Sequence, residues 1–136
     1  AFRNFELNQM DIEGVDGTCF YVEEEGLPPY DELIYVANRD TMDKDMIARF
    51  LAATEKATQY IVNHPEESWE VFAATSADLQ DELNARAWKD TLPRFALRPT
   101  AMDAGRYATF ETFLHDAGLI PDITPVSTIA IDVTAR

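Results

Sequence analysis

The feature that most constrains this chain is a pair of prolines, Pro28-Pro29, followed by an apolar run. Each proline locks its own φ, lacks an N–H and keeps the residue before it out of the helical region. The chain therefore has to reach Tyr30 extended. The run that follows, Leu33-Ile34-Tyr35-Val36-Ala37, is apolar at both alternate sets of positions. That pattern belongs to a central strand covered on both faces, and it predicts a strand over 31–38 in an α/β fold. Residues 17–22 and 126–133 are rich in β-formers and predict two more strands. Cys19, within the first of these, reads as a small buried hydrophobe. As the single cysteine of the chain it excludes an internal disulfide.

The remaining chain is helical in pattern. Asn4 to Gly14 predicts a short helix with the glycine as its stop. Asp40 or Thr41 is expected to cap a long helix reaching Asn63, because Met46, Ile47, Phe50, Leu51, Thr54, Ala57 and Ile61 recur at spacings of three and four. His64-Pro65 interrupts it, and Pro65 suits the first position of a new helix with Glu66 and Glu67 in its first turn. Ser76 is expected to cap a third helix that ends before Pro93. A fourth runs from Ala101 or Asp103 to Ala117, where Gly118 is the stop. Trp69 and Trp88 fall at helical spacing with other apolar residues and read as core. Few strands for this many helices make an incomplete sheet with unpaired edges, the pattern of a piece of something larger.

Charge and motif content narrow the function. The formal charge of −14 repels phosphate backbones and anionic lipid, so nucleic acid is excluded as a partner. No apolar run approaches the roughly 20 residues of a membrane span. The five glycines form no phosphate loop. His64 and His115 sit at a helix junction and in a last helical turn, so no metal set and no catalytic residue is assigned, and no cofactor is expected.

Chemistry concentrates in Phe2-Arg3-Asn4-Phe5-Glu6. An ionised carboxylate there accepts hydrogen bonds from an amino group or a protonated ring nitrogen, and an aromatic four residues earlier can stack on a flat heterocycle. The same five residues also read as an ordinary helix start. Tyr30, just past the prolines, either lines a cleft or covers the end of the expected strand.

Phe2-Arg3-Asn4-Phe5-Glu6, joined to Gly26-Leu27-Pro28-Pro29-Tyr30-Asp31-Glu32-Leu33, to Asn63-His64-Pro65-Glu66-Glu67 and to Gly118-Leu119-Ile120, resembles the thiamine-pyrimidine-precursor binding family. These are substrate-binding proteins of bacterial ABC importers, related to the fungal enzyme that makes the thiamine pyrimidine. The resemblance covers nearly the whole chain, and the Pro-Pro-Tyr-Asp-Glu-Leu stretch is its most specific part. It implies the C-terminal portion of a two-lobed, type II periplasmic-binding-protein fold of the Venus-flytrap kind. Residues 1–30 would end the second lobe and approach the hinge, and residues 31–136 would form the C-terminal part of the first. The opposite cleft wall would lie on residues outside this chain.

The resemblance further implies a binding protein, not an enzyme, acting in the periplasm with an ABC permease. Its ligand would be of the formylaminopyrimidine or hydroxymethylpyrimidine type. Glu6 would bond the aminopyrimidine, Phe2 would stack on it, and Asn4 and Tyr30 complete the candidate ligand set. Phe2 stands where many members carry tyrosine, so a hydroxyl contact is lost. Two alternatives remain. One is a synthase like the fungal branch, whose cysteine-rich segment and histidine donor are not visible in this chain. The other is a free-standing acidic module that binds protein, with the fragment pairing as a homodimer through exposed sheet edges.

Overall fold

The computed structural model describes residues 2–133. It is helix-rich: α1 (Glu6–Ile12), α2 (Lys44–Asn63), α3 (Pro65–Ala73), α4 (Glu82–Thr91), α5 (Ala104–Asp116) and α6 (Val126–Ile129), with 3₁₀ turns at Ala77–Leu79 and Leu92–Arg94. The contacts divide into two compact units. One comprises Ala1–Cys19 with Thr54–Leu97, the other Phe20–Ala53 with Arg98–Arg136, and the boundary falls within α2.

Helix punctuation follows the sequence closely. Gly14 (φ 69°) ends α1, with the Val15 N–H on the Met10 carbonyl at 2.8 Å and the Gly14 N–H on that of Asp11 at 3.1 Å. Gly118 (φ 70°) ends α5 in the same way, through Leu119 to Leu114 and Gly118 to His115. Both are the paired closure that a left-handed residue after a helix permits. Pro65 opens α3, where its missing N–H costs nothing. Asp103 caps α5 by accepting from the Arg106 N–H.

Two caps differ from expectation. The side chain that meets the start of α2 is Asp43, whose Oδ1 accepts from the Met46 N–H at 2.9 Å. Residues 38–42 are instead a turn, with Asn38 accepting from the Asp40 and Met42 N–H groups. Ser76 caps only the 3₁₀ turn, and α4 has its own cap in Asp81, which accepts from the Asn84 N–H at 2.7 Å.

The larger correction concerns the strands. Among the described residues there is none. A strand is completed by a neighbour's N–H and C=O groups, and no described segment supplies them to residues 31–38. Leu33 and Val36 stand 87% and 86% exposed, so the run expected at the centre of a sheet is an uncovered apolar ribbon. Among the described residues there is no sheet, and so no sheet edge of the kind expected to pair in a homodimer. Residues 17–22 lead into a turn in which the Tyr21 and Val22 carbonyls accept from residues 24, 25 and 27, and Cys19 is only half-buried. In 126–133 the local bonds win. The Thr128 N–H and hydroxyl both reach the Pro125 carbonyl, the Ala130 N–H reaches that of Val126, and a single helical turn forms.

The first unit packs around Trp69, Phe72 and Trp88, whose ring centroids lie 5.3–6.2 Å apart. Ala73 and Ala87 beside them are buried. The Trp88 indole N–H donates to the Pro65 carbonyl at 3.1 Å, so α4 is tied to the start of α3 by both rings and a hydrogen bond. In the second unit Tyr30 stacks flat on Phe110 of α5 (4.6 Å, 9°), and Tyr35 meets Phe50 of α2 edge-on at 5.0 Å.

Candidate ligand turn and its relatives

Residues 2–6 form one closed turn. The Phe2 carbonyl accepts from the Phe5 and Glu6 N–H groups at 2.9 and 3.0 Å. Glu6 Oε2 accepts from the Phe2 N–H at 2.6 Å, a charge-assisted bond across the same four residues. The aromatic and the carboxylate are thereby held together by two sets of bonds. Phe2 remains 52% exposed, leaving its ring open to a flat ligand. A carboxylate has about four acceptor sites, so one bond to Phe2 leaves Glu6 able to accept more.

Asn4 takes a different place. Its Nδ2 donates to Thr91 Oγ1 on α4 at 2.8 Å, and its backbone carbonyl accepts from Asn8 Nδ2. Asn8 Nδ2 also donates to Asp90 Oδ2 at 2.7 Å. One turn further along, Asp11 pairs with Arg86, which also holds Glu82 at 2.6 Å. These bonds, that to Asp11 foremost, raise the Arg86 pKa and keep its charge. The polar face of α1 is thus fastened to α4. Neither Thr91 nor Asp90 nor Arg86 stood out in the sequence. The available signal was the stripe Asn4, Asn8, Asp11 at helical spacing, which marks one face of α1 as polar and in need of a partner.

Tyr30 lies in the second unit. With Asp31, Arg106, Tyr107 and Phe110 it lines a cavity of about 40 Å³, a space for water and too small for a heterocycle. Arg106 Nη1 donates to Asp31 Oδ1 at 2.6 Å, which pins the segment after the prolines to α5 and raises the Arg106 pKa. Burial, and then the Asp31 charge, push the Tyr107 phenol up. A larger groove of about 470 Å³ runs along the other side of Tyr107 and Phe110, bounded by Leu114, Ile120 and Ile129. It contains none of Phe2, Asn4, Glu6 or Tyr30, and its buried carboxylate, Glu111, is engaged by the Thr124 N–H.

The two histidines are exposed, His64 stacked on Tyr60 at 4.4 Å and His115 beside Asp116. Among the described residues no group of three His, Cys, Asp or Glu side chains is placed to hold a metal, and no helix is long and apolar enough to cross a membrane.

The chain belongs to the family described as NMT1/THI5 like, which matches residues 1–68, the half that contains the candidate turn of residues 2–6, Pro28-Pro29 and Tyr30. Two relatives make the similarity specific. A Haemophilus influenzae protein, provisionally named a thiamine biosynthesis protein, is 42% identical over 134 residues, which is 98% of this chain and 43% of that protein. The formylaminopyrimidine-binding protein of Halalkalibacterium halodurans is 29% identical over 86 residues, 62% of this chain and 25% of its own length. The chain therefore spans less than half the length of the relatives it matches. No solved structure matches it.

Proposed function

We propose that this chain is part of the substrate-binding component of an ABC importer for a thiamine pyrimidine precursor of the formylaminopyrimidine or hydroxymethylpyrimidine type. The observation that carries the reading is the closed turn of residues 2–6, an exposed aromatic held against a carboxylate, in a chain related to a protein named for binding formylaminopyrimidine. An aminopyrimidine has a flat ring and an exocyclic amine. Phe2 supplies the stacking face and Glu6 the acceptor, and each demands what the other leaves unsatisfied. Such a protein binds without transforming its ligand, works in the periplasm and hands the ligand to a membrane permease.

In this reading the rest of a longer protein completes a two-lobed, type II binding fold. The exposed run at Leu33–Ala37 is the position where a neighbouring strand from the longer protein pairs.

The test is a calorimetric titration of the full-length protein with formylaminopyrimidine and with hydroxymethylpyrimidine. Saturable one-to-one binding of either supports the assignment. Binding of neither, with a different heterocycle bound instead, removes it.

A further inference from the structure

We infer that Thr91 is a positioning residue for the ligand turn, and that Asn4 serves as the turn's anchor on α4 and not as a ligand contact. The inference rests on the assignment of the 2–6 turn as a ligand wall. Phe5, at the cap position of α1, makes no side-chain cap bond, so the bonds that close the turn on itself are not joined by a capping side chain. A further hold comes from 87 residues away. Thr91 Oγ1 lies 2.6 Å from the Ala87 carbonyl and 2.8 Å from Asn4 Nδ2. A carbonyl only accepts, so the single hydroxyl proton of Thr91 is committed to Ala87. Toward Asn4 the oxygen can only accept, and the amide must present its NH₂. The bond therefore has a defined polarity and sets which way the Asn4 amide faces.

Residue 4 is also gripped through its backbone. Asn8 Nδ2 bridges the Asn4 carbonyl, at 3.1 Å, and Asp90 Oδ2. Both the side chain and the main chain of Asn4 are referred to adjacent residues of α4, Asp90 and Thr91. Asn4 is midway between Phe2 and Glu6, whose own bonds close over it. A shift of residue 4 moves the ring and the carboxylate together, so α4 fixes the aim of both ligand groups without touching the ligand.

The experiment is a double-mutant cycle in the full-length protein, titrated with formylaminopyrimidine. Its variants are Thr91→Val, which keeps shape and removes the hydroxyl, Asn4→Ala, and the pair. Thr91→Ser is the rescue. The melting temperature and the hydrogen exchange of the Asn4 side-chain amide are read on each ligand-free protein that retains Asn4. The inference expects roughly three- to tenfold weaker binding for each single variant, the loss of about one net hydrogen bond. It also expects little further loss in the pair, wild-type affinity for Thr91→Ser, and faster Asn4 amide exchange in Thr91→Val. Wild-type affinity in Thr91→Val overturns the positioning role while leaving the ligand assignment intact. So do additive losses, which would make Asn4 a ligand contact in its own right. Absence of binding by the wild type overturns the ligand assignment and this role with it, and unchanged amide exchange overturns the anchor itself. A Thr91→Val protein that does not fold shifts the decision to Thr91→Ser against Thr91→Ala.

Discussion

The Glu6 carboxylate turns back on the Phe2 N–H at 2.6 Å, so the candidate acceptor and the candidate stacking ring are parts of one hydrogen-bonded loop. Each constrains the other before any ligand arrives, and preorganisation of this kind lowers the ordering cost of binding. Replacing the ring tests the stacking half. Phe2→Leu should weaken pyrimidine binding by about 1 kcal/mol, the typical excess of an aromatic pair over its buried area. Phe2→Tyr should bind at least as well as the wild type. Calorimetry on the full-length variants reads both.

Packing of the first unit depends on Trp88, which meets Trp69 and Phe72 and bonds the Pro65 carbonyl. Trp88→Ala should destabilise the protein by about 3 kcal/mol, the lower end of the range for large aromatics because the ring is only half-buried. Trp88→Phe should cost less, about 1 kcal/mol for the lost indole bond plus a small packing term. Urea denaturation of the full-length protein followed by circular dichroism measures the difference.

The Asp31–Arg106 pair is close but more than a third exposed on both sides. Solvent and salt screen such pairs, so Arg106→Gln should cost less than about 1 kcal/mol, and 0.5 M salt should erase most of the difference. Phe110→Ala, which removes the ring under Tyr30, should cost more and be insensitive to salt. A comparison of melting temperatures at low and high salt separates the two.

Asp81 supplies a pH dependence. Its hydrogen bonds, first from the Asn84 N–H and then from the Asn84 side chain, hold its pKa below the ordinary 3.8. A depressed folded-state pKa adds stability that is fully present above the unfolded value and is lost as pH falls through 3.8 toward the folded value. Asp81→Asn keeps a capping oxygen and should remove this acid-sensitive portion. Asp81→Ala should lose the cap at every pH. Helicity of the full-length protein measured from pH 6 down to pH 2.5 distinguishes the three proteins.

The helices were legible because their signals are local. Gly14, Pro65, Asp103 and Gly118 act within a few residues, and each does in the structure what its type dictates. The start of α2 was misplaced by two or three residues because Asp40, Thr41 and Asp43 are all capable caps and only the last has its side chain on the Met46 N–H. Strand patterns are a different kind of signal. Leu33-Ile34-Tyr35-Val36-Ala37 states a preference for pleated, covered surroundings, and no described residue provides a paired neighbour, so the preference is unmet. Residues 126–129 show the competing outcome, where Pro125 and Thr128 offer local bonds and the chain takes them.

The site divides along the same line. The Phe2 and Glu6 partnership spans four residues and could be read directly. The Asn4–Thr91 bond spans 87, and nothing in the neighbourhood of Thr91 announces it. Only the polar stripe on α1 hinted that something on another helix must receive it.

In the proposed function Glu6 is the group that recognises the aminopyrimidine. The most direct measurement is the affinity of the full-length protein for formylaminopyrimidine, by calorimetry, with Glu6 intact and as Glu6→Ala. Removing a charge-assisted hydrogen bond should weaken binding by about 1.5–3 kcal/mol, from roughly tenfold to more than a hundredfold. An unchanged dissociation constant in Glu6→Ala, with the wild type binding normally, would contradict the account and take Glu6 out of the site.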